Sequence, residues 1–177
     1  MYKRQVEAVS DENTLVVGGG GVSDGKTLAA SLAMGLDGVL MGTRFLATQE
    51  SDFPPLWKQS VVESQDRATL VARGYVGPAR WLKNPRSEEH ALNTMKKSPG
   101  VYLGTPDSYM DMEDMSLIEY ENESIKAVFE GDKEKAMMAA GECAQRINDM
   151  PKVEDLVKSI ASEAEEIIGG MAKKFLS

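Results

Sequence analysis

Cysteine is nearly absent from this sequence. Cys143 is the only one in 177 residues, so no intramolecular disulfide can form and the chain fits a reducing compartment. Histidine is as scarce, with His90 alone, and no metal site is expected. No apolar run approaches the ~20 residues needed to cross a bilayer. At the start of the chain Val6, Ala8 and Val9 are interrupted by Glu7 and followed by Ser10, Asp11 and Glu12, unlike a signal peptide. The expectation is a cytoplasmic protein with no membrane partner. Basic residues are outnumbered: 20 Lys and Arg against 28 Asp and Glu leave a formal net charge of −8. An acidic surface repels phosphodiester backbones, which argues against nucleic acid as a partner. A small anionic ligand stays open, because backbone N–H groups bind phosphate locally. There is no internal repeat and no low-complexity tract.

What is present is an ordinary globular balance, 42% hydrophobic and 27% charged, enough for one domain with a core. Thr14-Leu15-Val16-Val17 is a short apolar run closed by Gly18 to Gly21, and it reads as a strand buried on both faces. Ser23 or Asp24 can cap a helix over residues 24–34, whose Leu28, Ala29, Leu32 and Ala33 share a face and which Gly35 can end. A second apolar run, Gly38 to Met41, ends in Gly42-Thr43. Strand, helix and strand in this order form the right-handed parallel crossover.

Farther on, Pro54-Pro55 precede a helix through Trp57 to Glu63, and Ala68 to Val71 is a candidate strand. A polar helix is expected from Ser87 to Lys97 and a long surface loop from Ser98 to Asp114. The last part reads as helical: Ser116 to Phe129, Lys133 to Ile147, and a third helix from Pro151. That third helix carries an apolar stripe of Val153, Leu156, Val157, Ile160, Ala164, Ile167, Ile168 and Met171, and Gly169-Gly170 is expected to fray its end.

The two glycine-rich strand ends carry the strongest chemical signal. In a parallel sheet they face the same way, and glycine there leaves backbone N–H groups open to a closely approaching ligand. Two adjacent ends make a phosphate cradle, which in (β/α)₈ barrels lies after the seventh and eighth strands. The alternative is a tight glycine turn with no ligand. No G-x-G-x-x-G with a downstream acid is present, so this is not a dinucleotide fingerprint.

Val16-Val17-Gly18-Gly19-Gly20-Gly21-Val22-Ser23-Asp24-Gly25 closely resembles the "VIAAGGIADG" stretch of nitronate monooxygenases. Asp37 through Thr48 resembles their "DGVQMGTRFLAT". Glu130-Gly131-Asp132, Ala140-Gly141-Glu142 and Ile147-Asn148-Asp149-Met150-Pro151 resemble their "EGD…AGQ…IDDIP" pattern. The resemblance implies an α/β fold, the C-terminal part of a (β/α)₈ TIM barrel with strands 7 and 8 plus C-terminal helices. It implies FMN as cofactor, with its phosphate on Gly20, Gly21, Leu40, Met41, Gly42 and Thr43. It also implies a small-molecule substrate, an alkyl nitronate, and O₂ as co-substrate. The first two motifs also resemble FMN-dependent enoyl-acyl carrier protein reductases. Enoyl reduction is therefore one alternative activity, and a non-catalytic phosphate-binding fragment is another.

The sequence departs from the family in two places. The family's catalytic base is a histidine in a "GGH" motif that this chain lacks, so no catalytic residue is assigned, and His90 is expected to be a surface residue. Glu142 stands where the family has Gln, and a carboxylate there needs a partner or solvent. Other residues read as structural. Cys143 should be core filler in a helix, Trp57 and Trp81 should pack, and Met110, Met112 and Met115 should lie in a surface loop. Arg44 should pair with an acid or cover the barrel rim, with neutralisation of a phosphate as the alternative.

A (β/α)₈ barrel takes about 250 residues, so the first six βα units are expected to be missing and the fragment inactive. Met1-Tyr2-Lys3-Arg4-Gln5 has no family counterpart and equals the translation of GTG-TAT-AAG-AGA-CAG, which resembles a transposase-type adapter. Residues 1–5 are therefore expected to be a non-native scar, 6–66 a barrel segment with the FMN phosphate site, and 67–177 a mostly helical region packing on it.

Overall fold

The computed structural model describes residues 2–9, 13–74, 77–103 and 115–175. They form two compact units, one of Met1–Ser51 with Asp149–Ser177 and one of Asp52–Asn148.

The first unit holds α1 (Tyr2–Ala8), β1 (Val17–Gly19), α2 (Gly25–Ala33), β2 (Gly38–Leu40), α3 (Thr43–Leu46) and α8 (Val153–Phe175). Helix α1 runs across the boundary expected between residues 5 and 6. The expected crossover forms: β1 and β2 are parallel, with Val17 opposite Gly38, Gly18 opposite Val39 and Gly19 opposite Leu40. β1 starts later than the run from Thr14 predicts. The Asp37 carboxylate takes the Val16 N–H at 2.8 Å and the Val16 carbonyl accepts from Asp37 N at 2.9 Å, so pairing begins just beyond that clasp.

Helix α2 opens on a capping box, in which Asp24 accepts from Thr27 N and Thr27 Oγ1 accepts from Asp24 N. Such a cap contributes about 0.5–2 kcal/mol. Its far end turns through Gly35 at φ +90°, a left-handed conformation that favours glycine.

α2 packs on α8 at very close range. A Cβ on Gly25 would lie 2.4 Å from Glu163 Cβ and 2.8 Å from Ala164 N, so only glycine fits. α8 buries a narrower stripe than expected. Leu156, Ile160 and Ala164 are buried, whereas Val157, Ile168 and Met171 are exposed. The helix also does not fray at Gly169-Gly170 but runs on to Phe175. Each glycine costs only about 1 kcal/mol against alanine, and Lys173 and Lys174 in the last turn favour the negative end of the helix dipole. No described helix is long and apolar enough to cross a membrane.

The second unit holds α4 (Pro55–Val62), a hairpin of β3 (Thr69–Gly74) and β4 (Gly77–Leu82), α5 (Pro85–Lys97), α6 (Gly100–Leu103) and α7 (Ser116–Glu130). The hairpin is antiparallel, from Thr69 opposite Leu82 to Gly74 opposite Gly77. Its core joins Ala72, Trp81 and Met137 to Leu70, Ala91, Tyr120 and Ile125. A side chain as fully buried as Met137 contributes about 1.5–3 kcal/mol. Trp57 and Trp81 pack as expected, and each indole N–H reaches a carbonyl, Ala139 O at 2.9 Å and Arg73 O at 3.1 Å.

The helix expected over Lys133 to Ile147 does not form. Residues 136–140 are extended beside β4: Leu82 N donates to Met138 O, Ala140 N to Arg80 O, and Trp81 bridges to Ala139. A short 3₁₀ turn follows over Glu142–Arg146. The residues have helical propensity, but the free edge of β4 satisfies their backbone while Ala136 and Met137 become fully buried. Tertiary pairing overrides a weak local preference. Cys143 is core filler as expected, within that 3₁₀ turn and not a helix. Within the expected loop, residues 100–103 are helical. Met110 and Met112 lie outside the described residues, and Met115 is exposed.

Candidate functional site

The register of β1 and β2 decides what can meet. Gly19 and Leu40 are opposite partners at the last paired position. Gly20-Gly21 and Met41-Gly42-Thr43 therefore leave the ribbon side by side at the same end. The six residues singled out from the sequence occupy this one place. Gly20 and Gly21 have φ of +95° and +81°, so the first loop needs glycine for its backbone alone.

Gly42 differs. Its φ of −91° is open to any residue, and a Cβ there would meet nothing within 4 Å. Among the described residues no packing requires glycine at 42, and no atom fills the space beside Gly21. A close approach by something outside the chain does give Gly42 a reason. Just past the first loop Ser23 adds a buried hydroxyl that has no hydrogen-bond partner among the described residues. These residues fit a phosphate group.

Arg44 follows the second loop, and both terminal nitrogens of its guanidinium are occupied, while its Nε is buried without a partner among the described residues. Nη1 donates to Asp149 Oδ1 at 2.8 Å, and Nη2 donates to Ala47 O and Asp149 O, both at 2.9 Å. The side chain is buried. This is the acid-pairing reading of Arg44, and it commits the two terminal nitrogens to the protein. Glu142, which replaces a family amide, is exposed at 67% with Arg80 Nη2 3.8 Å away, so solvent carries most of its charge.

His90 overturns an expectation. It is not on the surface but fully buried in the second unit. The Asn84 cap sets the phase of α5, so Ser87, His90 and Thr94 share the inward stripe, and the polarity of those residues disguised that stripe. His90 Nε2 lies 2.9 Å from Arg73 O and 3.2 Å from Glu121 Oε1. Both neighbours are acceptors, so this nitrogen carries a proton. Arg73 Nη1 donates to the same Glu121 oxygen at 2.9 Å. The imidazole stacks on Tyr120, with centroids 5.5 Å apart.

Tyr120 in turn carries Arg86 over its ring and donates to Glu89 Oε2 at 2.6 Å. Burial, and then that hydrogen bond, push the Tyr120 phenol well above its ordinary value. His90 and Glu121 are 0% exposed, so substrate cannot reach them. The cluster is a structural ion network. Neither His90 nor Glu121 signalled it in sequence, because the pairing depends on α5, α7 and β3 meeting.

The nitronate monooxygenase family model matches residues 3–163. A probable nitronate monooxygenase of Staphylococcus saprophyticus is 39% identical over 79 residues, 44% of this chain and 22% of that protein. Among solved structures, FabK from Thermotoga maritima aligns with a TM-score of 0.76 and 29% identity, over 98% of this chain and 50% of that one. Nitroalkane oxidase from Streptomyces ansochromogenes aligns at 0.70 and 28%, over 96% and 44%. The chain thus spans about half the length of these structures. They are TIM-barrel enzymes, and a mixed α/β chain matching half of one fits a partial barrel.

Proposed function

The chain belongs to the nitronate monooxygenase family, and on that premise we propose that it forms the FMN-phosphate side of a flavin-dependent oxidoreductase acting on alkyl nitronates with O₂. The observation that carries this reading is the pairing of two glycine loops at one end of a parallel ribbon, with open space beside Gly21 and Gly42. β1 and β2 are then the seventh and eighth strands of the barrel. Gly20, Gly21, Leu40, Met41 and Gly42 act through their backbones, so Leu40 serves where the family has Gln. Thr43 adds a hydroxyl.

FMN, when bound, supplies the redox chemistry. The chain's own residues anchor the phosphate and thereby set where the cofactor sits. They do not move a proton: His90, the only histidine, is sealed in the ion network. Residues 6–66 are the barrel segment in this reading, and the remaining βα units would supply the base and the ring pocket. The motifs shared with FMN-dependent enoyl-acyl carrier protein reductases favour a second reading, reduction of an enoyl thioester by a nicotinamide donor.

The test joins residues 6–177 to the first six βα units of a close relative. The product should be yellow and should consume O₂ with an alkyl nitronate, and Gly42→Asp should release the flavin by placing a carboxylate in the phosphate space. Enoyl reduction without nitronate-driven O₂ uptake would select the second reading. A colourless product, or flavin retained after Gly42→Asp, would remove the site assignment.

A further inference from the structure

Helix α8 and the residues that lead into it are tied to the flanks of both glycine loops, at two separate places. After the second loop, Arg44 grips Asp149 through its side chain and its carbonyl. Gln49 N then donates to Pro151 O at 3.0 Å. The Glu50 carboxylate accepts from Val153 N, the first residue of α8, at 3.0 and 3.1 Å. After the first loop, Glu163 in the middle of α8 accepts from Gly25 N at 2.7 Å, and Gly25 has no room for a side chain because α8 lies against it. Gly25 is four residues past Gly21, and Arg44 is two past Gly42.

We propose that α8 is the brace that sets the spacing of the two glycine loops, with Glu163 and Arg44 as its positioning residues. The inference rests on the phosphate-site reading above. A cradle assembled from two separate strand ends grips a phosphate only if both loops present their N–H groups at a fixed separation. The three-residue pairing of β1 and β2 is short to impose that alone. A helix of 23 residues is a stiff member: Glu163 within it holds the first loop's flank, and its start is held beside the second by Glu50 on Val153 N and by the Arg44–Asp149 pair just before it, all charge-assisted bonds. Such bonds are shorter and about twice as strong as neutral ones.

The amides at the start of α2 are also already committed, Gly25 N to Glu163 and Thr27 N to Asp24. The loops themselves must therefore make the grip, which raises the demand on their spacing. Neither Glu163 nor Arg44 is a ligand in this arrangement. Each holds the frame.

The test uses the full 177-residue chain, ¹⁵N-labelled, titrated separately with FMN and riboflavin while the Gly21 and Gly42 amides are followed. The phosphate contribution is the ratio of the two affinities. Glu163→Ala and Arg44→Ala should each lower that ratio about tenfold, the scale of one misplaced charge-assisted contact. Glu163→Gln, which keeps an acceptor for Gly25 N, should restore most of it. Val153→Pro removes the donor that Glu50 holds and keeps an apolar side chain, at a helix position where proline is well tolerated. It should lower the ratio several-fold without changing the melting temperature, and it serves in place of either alanine variant that fails to fold.

Folded variants that keep the wild-type ratio overturn the brace. A ratio lowered equally in Glu163→Gln and Glu163→Ala overturns the role given to the acceptor at Gly25. A wild-type chain that binds FMN no better than riboflavin overturns the phosphate site, and the brace with it.

Discussion

The strands of the two units are built from similar residues and end in different surroundings. In the antiparallel hairpin Ala72 is 0% and Trp81 3% exposed, while in the parallel ribbon Val17 is 59% and Leu40 64% exposed. The hairpin's strands are near neighbours in sequence and pair from Thr69 opposite Leu82 to Gly74 opposite Gly77, so they find each other locally. Helices α5 and α7 pack against it, and residues 136–140 extend the β4 edge. The ribbon pairs only through its crossover. α2 packs against β2, and Gly18 is buried, whereas Leu15, Val17 and Leu40 are exposed. Parallel sheets are stable almost only with both faces covered, a condition the barrel reading would supply. One unit has completed its own core, and the other keeps its apolar strand face and its glycine loops open.

The largest expected effect breaks the closed side of this comparison. Glu121 accepts from Arg73 and lies beside His90 in the interior. Glu121→Ala would leave Arg73 unpaired in the interior, a change that costs roughly 3–5 kcal/mol. Urea denaturation of the variant should show the hairpin unit melting first, read from hydrogen exchange at Ala72 and Trp81. A loss below about 1 kcal/mol would mean that the network is hydrated and the unit less closed than described. His90→Ala belongs to the same test: it should weaken the fold and leave flavin chemistry in the assembled barrel untouched.

A smaller effect probes the open side. Gly25→Ala forces a methyl against Glu163 and Ala164, and overpacking of this kind costs about 1–3 kcal/mol. Exchange should accelerate in α2 and α8 while the hairpin amides stay protected. Equal acceleration in both units would show that they melt as one and would erase the distinction between them.

Alkaline pH gives a gentler handle on the closed unit. The Tyr120 phenol is held above its ordinary 10.0, first by burial and then by the Glu89 hydrogen bond. The folded state thus keeps that proton more tightly than the unfolded chain does. Its stabilising contribution is full below pH 10 and is lost as pH rises beyond it. The melting temperature should fall above pH 10, and Tyr120→Phe should flatten that fall. An identical slope in the variant would assign the alkaline loss to other groups.

Much of the open unit could be read from the sequence, because its signals are local. A β-branched run closed by glycines, a cap at Ser23 or Asp24 that the structure assigns to Asp24, and Gly35 at the helix end each act within a few residues, so pattern and conformation coincide. The braces could not be read this way. Glu163 lies 138 residues from Gly25, and nothing in the spacing of α8 marks it apart from its charged neighbours. The closed unit was hard to read for a related reason. Its inward stripe on α5 is Ser87, His90 and Thr94, polar residues that look solvated until Arg73 and Glu121 are brought to meet them. Ala136 to Ala140 looks helical until β4 offers its edge.

The smallest expected effect is the most telling about the open unit. Val17→Gln changes a side chain that is 59% exposed. Its backbone, not its side chain, takes part in the ribbon. In the 177-residue chain the substitution should shift stability by no more than about 0.5 kcal/mol, as for other surface changes. If the bare face is covered in a barrel, the same substitution in the assembled protein buries an amide among apolar side chains and should cost roughly 1–3 kcal/mol. The difference between the two measurements, by denaturant titration of each, reports whether the face is covered on assembly. A substitution that is neutral in both settings would leave the Val17 face in solvent and remove the barrel placement of β1. A substitution already costly in the isolated chain would show that this face is occupied without any further strands.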